Sequence, residues 1–100
     1  MDGAGQPMNN TAVLRGRLVI CNQRGLHARA AAKFVKLAGQ FNAEVQVSRA
    51  GQTVSGLSIM GLMMLAAGPG MDIDIEAHGP AAEAAIVAIT ELVEGKFGED

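Results

Sequence analysis

The pentapeptide Gly25-Leu26-His27-Ala28-Arg29 sets a histidine between a strand-ending turn and an alanine-rich stretch. That puts His27 at the N-cap or in the first turn of a helix, where unpaired backbone N–H groups and the positive end of the dipole face outward. A neutral imidazole there is placed to attack a phosphoryl donor. The oxygens it gains would meet helix N–H groups and the Arg29 guanidinium. His27 is therefore a candidate nucleophile and Arg29 its electrostatic clamp. The same spacing also fits a plainer arrangement, in which His27 only caps the helix and Arg29 is a solvated charge. A general acid–base enzyme is disfavoured, because no second ionisable partner lies near His27 in sequence.

Ser58 stands before the apolar segment Ile59-Met60-Gly61-Leu62-Met63-Met64-Leu65. Its hydroxyl suits an N-cap. It also suits regulatory phosphorylation: a phosphate would agree with the helix dipole yet set about two negative charges beside Ile59, Met60 and Met63. Such a group would stabilise the fold while spoiling a docking surface. Met60, Met63 and Met64 cannot all face inward from so short a helix, and exposed methionine fits a surface that accepts several partners. Core filling accounts for the rest of the segment.

Other features are assigned to structure. Asp72, Asp74, Glu76 and His78 share one face of a strand and read as its charged solvent side rather than as metal ligands. Cys21 beside an apolar strand reads as packing. No Walker loop, dinucleotide fingerprint, paired-cysteine metal site or Ser-His-Asp motif occurs, and no cofactor is called for.

The elements that must position these residues follow from periodicity. Arg15 to Cys21 alternates, with Leu18 and Ile20 on one face and Arg15 and Arg17 out of phase, which predicts a strand. Ala28 to Ala38 predicts a helix, with Gly39 as its left-handed cap. Ala43–Arg49, the turn Ala50-Gly51 and Gln52–Ser55 predict a hairpin. The segment after Ser58 predicts a short helix. Met71 to His78, with Ile73, Ile75 and Ala77 alternating against charged residues, predicts another strand. Gly79-Pro80 then opens a helix with Pro80 in its first turn, built on Ala82, Ala85, Ile86, Ile89, Leu92 and Val93 and stopping before Gly98. Alternating strands with one wet face imply an α+β fold: an antiparallel sheet with helices on its apolar side. Residues 1–13, rich in glycine and small polar residues, read as a flexible tail before a domain spanning 14–100.

Composition narrows the function. The chain has 100 residues, 49% hydrophobic and 18% charged, with a net charge of -2, which fits one small globular domain. With 8 Lys+Arg against 10 Asp+Glu and no Tyr or Trp, it lacks the basic surplus and stacking platforms of a nucleic-acid binder, so its partners are read as proteins. A single cysteine, no secretory signal and no apolar run near the roughly 20 residues of a membrane span place it in the cytoplasm.

Taken together, Gly25-Leu26-His27-Ala28-Arg29 with its alanine-rich helix, and Ser58-Ile59-Met60-Gly61-Leu62-Met63 further on, resemble the two signature regions of the HPr family, the histidine phosphocarriers of the bacterial phosphotransferase system. The resemblance spans about residues 16–95. It implies an open-faced β-sandwich, a four-stranded antiparallel sheet covered on one face by three helices. It implies that His27 accepts a phosphoryl group on Nδ1 from enzyme I, charged by phosphoenolpyruvate, and passes it to a histidine of an enzyme IIA component. Arg29 matches the family's active-site arginine, and Ser58 its regulatory serine, the target of an HPr kinase in some bacteria. Ala28, Ile59, Met60 and Met63 match the docking patch. The implied protein is a monomeric relay rather than a stand-alone enzyme. Many members have proline straight after the arginine; Ala30 stands here, giving up a preset φ but gaining an N–H. The alanine-rich helix start is more similar to the nitrogen-related branch than to the sugar branch, so a mainly regulatory role is one alternative. Another is a protein-interaction module in which His27 is an inert cap.

Overall fold

The computed structural model describes residues 13–99. The tail expected over residues 1–13 lies, apart from Val13, outside the described residues. The elements are β1 (Leu14–Val19), α1 (Ala28–Ala38), β2 (Glu44–Arg49), β3 (Gln52–Ser55), α2 (Ile59–Met64), β4 (Asp72–His78) and α3 (Ala82–Glu94), followed by a short 3-10 turn, Lys96–Gly98. They form an α+β fold in which a four-stranded sheet runs in the order β1-β4-β2-β3, every pairing antiparallel.

Strand alternation decides which face is buried. Ile73, Ile75 and Ala77 of the central strand β4 are buried, as are Val45 and Val47 of β2 and Leu18 of β1. The opposite face carries charge. Arg15 lies directly across from Glu76 and Arg17 from Asp74, each pair joined at 3.0 Å, and His78 faces Glu44 at 3.1 Å. These exposed pairs add little stability; register is set by the buried isoleucines, which a one-residue slip would turn to water. The pairs account for Asp74, Glu76 and His78 of the acidic stripe. Among the described residues no cluster of His, Cys, Asp or Glu is placed to hold a metal ion.

The β2–β3 hairpin closes through Ala50 and Gly51, with φ of 53° and 81°. Positive φ at both central residues is what a two-residue turn needs to match strand twist. Helix α3 lies across β1, β4 and β2, α2 abuts β3, and α1 packs on α2 and α3. The α1 contact residues are small (Ala30, Ala31 and Ala38) around the fully buried Phe34.

Three expectations are corrected. Gly39 is right-handed (φ -68°, ψ -10°), not left-handed; the chain instead leaves α1 through turn bonds from Gln40 N–H to Leu37 O and Phe41 N–H to Ala38 O. Pro80 lies before α3 rather than in its first turn, because Ala81 is held outside the helix by its N–H bond to Asn42 O (3.0 Å). Cys21 is exposed rather than packed; the strand ends at Val19, and the thiol turns to Val93 O at 3.3 Å. No described helix is long and apolar enough to cross a membrane.

Phe34→Ala empties the point where α1 meets the core. It is expected to cost about 3–5 kcal/mol, read as a lowered midpoint in urea unfolding with the m-value unchanged.

Candidate functional site

The loop between β1 and α1 is shaped by a close backbone approach. Gly25 has φ of 64°, and a Cβ there would stand 2.3 Å from the Ala67 carbonyl oxygen. Leu26 then donates its N–H to that same oxygen at 3.0 Å and buries its side chain in the core. Asn22, fully buried, donates from Nδ2 to Gly25 O at 2.9 Å. The loop is therefore clamped on both sides before the chain reaches His27.

His27 is the N-cap residue of α1 in an extended conformation (φ -72°, ψ 177°), and its side chain makes no capping hydrogen bond. The first intrahelical bond runs from Ala31 N–H to His27 O at 2.9 Å. The N–H groups of Ala28, Arg29 and Ala30 thus have no intrahelical acceptor, and no acidic residue stands in that turn. His27 thus occupies the N-cap position, while its imidazole is turned away from the helix N–H groups.

It is turned to Glu99. His27 Nε2 lies 2.5 Å from Glu99 Oε2, and the two side chains are only 16% and 18% exposed. The other carboxylate oxygen, Oε1, accepts from Asn22 Nδ2 at 3.0 Å. A bond from Asn22 and then the bond from His27 hold the Glu99 carboxyl below the usual glutamate range. Glu99 is therefore ionised at neutral pH and can only accept, so Nε2 of His27 is the ring nitrogen bearing hydrogen. In the neutral ring that leaves the lone pair on Nδ1, a nucleophile beside a helix N-terminus that can receive the oxygens of a phosphoryl group.

The ionisable partner that His27 lacks among its neighbours in sequence is supplied by the tertiary structure. Glu99 is 72 residues away in sequence, and no local pattern announces it. Asn22 had a faint signal, three residues ahead of a glycine in a turn. Arg29 is exposed on the first turn of α1, and among the described residues no hydrogen bond or ion pair joins it to His27. Ala28 is exposed beside it.

Ser58 is the N-cap of α2, as expected: its Oγ accepts from Gly61 N–H at 2.9 Å. Gly61 permits this, since a Cβ there would lie 3.0 Å from both Ser58 Oγ and Val54 Cβ. Ile59, Met60, Met63 and Met64 are all exposed, Met60 to 72%. Core filling falls to Leu62 and Leu65 instead, and the methionines form an apolar surface on the helix packed beside α1.

The chain is similar to known proteins over most of its length. The family model described as PTS HPr component phosphorylation site matches residues 14–95. The phosphocarrier protein HPr of Cupriavidus necator is 46% identical over 87 residues, covering 87% of this chain and 98% of that protein. The phosphocarrier protein NPr of Shewanella violacea is 43% identical over 86 residues, covering 86% of this chain and 94% of its own. The crystal structure of HPr-C-His from Thermoanaerobacter tengcongensis superposes with a TM-score of 0.83 at 39% identity, covering 87% of this chain and 98% of that one.

Two outcomes are expected of the site. Gly25→Ala forces a Cβ onto the Ala67 carbonyl in a left-handed conformation and should cost about 1–3 kcal/mol, seen as a lower Tm together with altered amide shifts around His27. Glu99 should also make stability pH-dependent. Its folded pKa lies below the ordinary value, so the unfolded chain takes up the proton first as pH falls. The stabilisation is complete above the ordinary glutamate range and is lost as pH drops through the lowered folded value. Urea unfolding at stepped pH should show wild type above Glu99→Gln near neutrality and the gap closing in acid.

Proposed function

The chain belongs to the HPr family of phosphocarriers, and from that premise we propose that His27 is the residue that carries the phosphoryl group. The donor is enzyme I, charged by phosphoenolpyruvate, and the acceptor a histidine of an enzyme IIA component. The Nδ1 lone pair attacks phosphorus as the P–N bond of the donor histidine breaks, and that bond's electron pair returns to the donor ring. Nε2 keeps its hydrogen, the His27 ring gains positive charge, and no proton needs to leave. The observation that best supports this is the imidazole itself: part-buried, unbonded to its own helix, and held through Nε2 by an ionised carboxylate.

Arg29, one residue into α1, takes the role of clamp on the phosphoryl oxygens. Ala28, Ile59, Met60 and Met63 form the docking face used in turn by donor and acceptor; their exposure supports that role. Such contacts are small and short-lived, which suits a monomer. Phosphorylation of Ser58 would set charge beside Met60 and Met63 and weaken docking without opening the fold. The working unit is the domain spanning 14–100, acting in the cytoplasm as a relay without a cofactor. A second reading, in which the phosphorylation state mainly regulates partner proteins, rests on the alanine-rich start of α1. Delivery to a nitrogen-type rather than a sugar-specific enzyme IIA separates the two.

Incubation with phosphoenolpyruvate and cognate enzyme I is expected to add an acid-labile phosphoryl group to wild type and none to His27→Ala, read by intact mass before and after acid. An unmodified wild type would sink the relay and leave a docking module.

A further inference from the structure

The segment after α3 is bent at some energetic cost. Lys96 and Phe97 both sit in the left-handed region, with φ of 59° and 54°, and Gly98 follows at 75°. Two consecutive non-glycine residues in that conformation persist only where the surroundings over-determine them. Here they do. Phe97 is fully buried, and its carbonyl accepts from Lys33 Nζ of α1 at 2.6 Å. Gly98 and Glu99 close the turn with N–H bonds to Gly95 O (3.0 Å) and Lys96 O (2.9 Å). The turn brings the chain back to the N-terminal end of α1, where the Glu99 carboxylate is shared between buried Asn22 and His27.

We propose that Glu99 is a positioning residue for phosphoryl transfer, binding Nε2 of His27 so that only Nδ1 is offered to phosphorus. This rests on the reading of His27 as the phosphoryl carrier. Three physical consequences follow from the contact. An ionised carboxylate accepts and cannot donate, so it selects the tautomer with hydrogen on Nε2. It fixes the ring plane, and Asn22 fixes the carboxylate in turn, the arrangement by which a carboxylate orients a working histidine. It also faces the ring nitrogen where positive charge grows as Nδ1 bonds phosphorus, which favours the transition state over the resting ring. Arg29, exposed on the first turn of α1, is left to the phosphoryl oxygens, so the two charged groups serve opposite sides of one imidazole. The strained turn at Lys96 and Phe97 is the structural means of delivering a side chain that no neighbour of His27 in sequence supplies.

The test separates regiochemistry from relay. Wild type, Glu99→Ala and Glu99→Gln are treated with phosphoramidate, whose P–N bond breaks as a ring nitrogen takes the phosphoryl group and ammonia leaves. The labelled ring nitrogen is read by 31P and 15N NMR. Initial rates of phosphorylation by enzyme I and phosphoenolpyruvate are measured on the same three proteins. Wild type should be labelled on Nδ1. Glu99→Ala should give product on Nε2 as well and lose about tenfold in initial rate, the effect of one charge-assisted hydrogen bond. Glu99→Gln keeps an acceptor for Nε2–H without the charge, so it should retain the Nδ1 product with a rate between the other two. A general loosening of the turn would not produce that split between site and rate. Identical regiochemistry and rates in all three proteins would overturn the proposal. A wild type labelled on Nδ1 by phosphoramidate but untouched by enzyme I, with Glu99→Ala still changing the labelled nitrogen, would defeat the relay reading and leave the positioning role standing.

Discussion

A backbone contact with no room for a side chain governs the geometry of this protein. Gly25 passes so close to the Ala67 carbonyl that any Cβ would overlap it, and Leu26 completes the approach with a hydrogen bond to the same oxygen. The contact ties the loop after β1 to the segment after α2. It therefore sets where α1 begins, and with it the position of His27 against the helix N-terminus. Because Leu26 is buried in the common core, the loop cannot shift without opening the interior. A site built on such a loop is rigid for the same reason the core is, namely close packing.

On that frame the molecule divides its surface by chemistry. The outer face of the sheet carries cross-strand charge pairs. The helical side is different. There α2 turns its methionines and Ile59 to solvent while Leu62 anchors it, and the Ser58 cap holds its first turn. A six-residue helix has little intrinsic stability, so α2 depends on that cap and on its seat against α1 and β3. The result is a firm apolar patch of flexible side chains, suited to several partners in turn.

The polar core of the site is a short chain of bonds. Buried Asn22 spends both its Nδ2 hydrogens, one on the loop and one on Glu99, and Glu99 passes its second oxygen to His27. Loop geometry, carboxylate placement and imidazole orientation are thus coupled in one chain of bonds. Burial strengthens each link, and the bonds from Asn22 and then His27 hold the Glu99 carboxyl ionised.

Much of this was legible in the residues. The alternation of Leu18 with Arg15 and Arg17, and of Ile73 and Ile75 with Asp72 and Asp74, specifies strands and their buried face, because side chains on a strand repeat every two residues. The α1 span, the two-residue hairpin turn and the Ser58 cap were equally local and equally readable. His27 at a helix start followed from the turn before it and the alanines after it. What failed did so where neighbours in space outweighed neighbours in sequence. Gly39 stayed right-handed because the chain reversed through the following turn, and α3 began late because Asn42 held Ala81 outside it. The exposure of every methionine in α2 was set by which of its sides met α1 and β3. The pairing of Glu99 with His27 depended on where α3 ended and on a left-handed turn held by buried Phe97 and by Lys33. Periodicity and capping determined the elements and the candidate histidine, since they act over a few residues. Only the tertiary structure could decide what that histidine touches, because packing alone closes a separation of 72 residues.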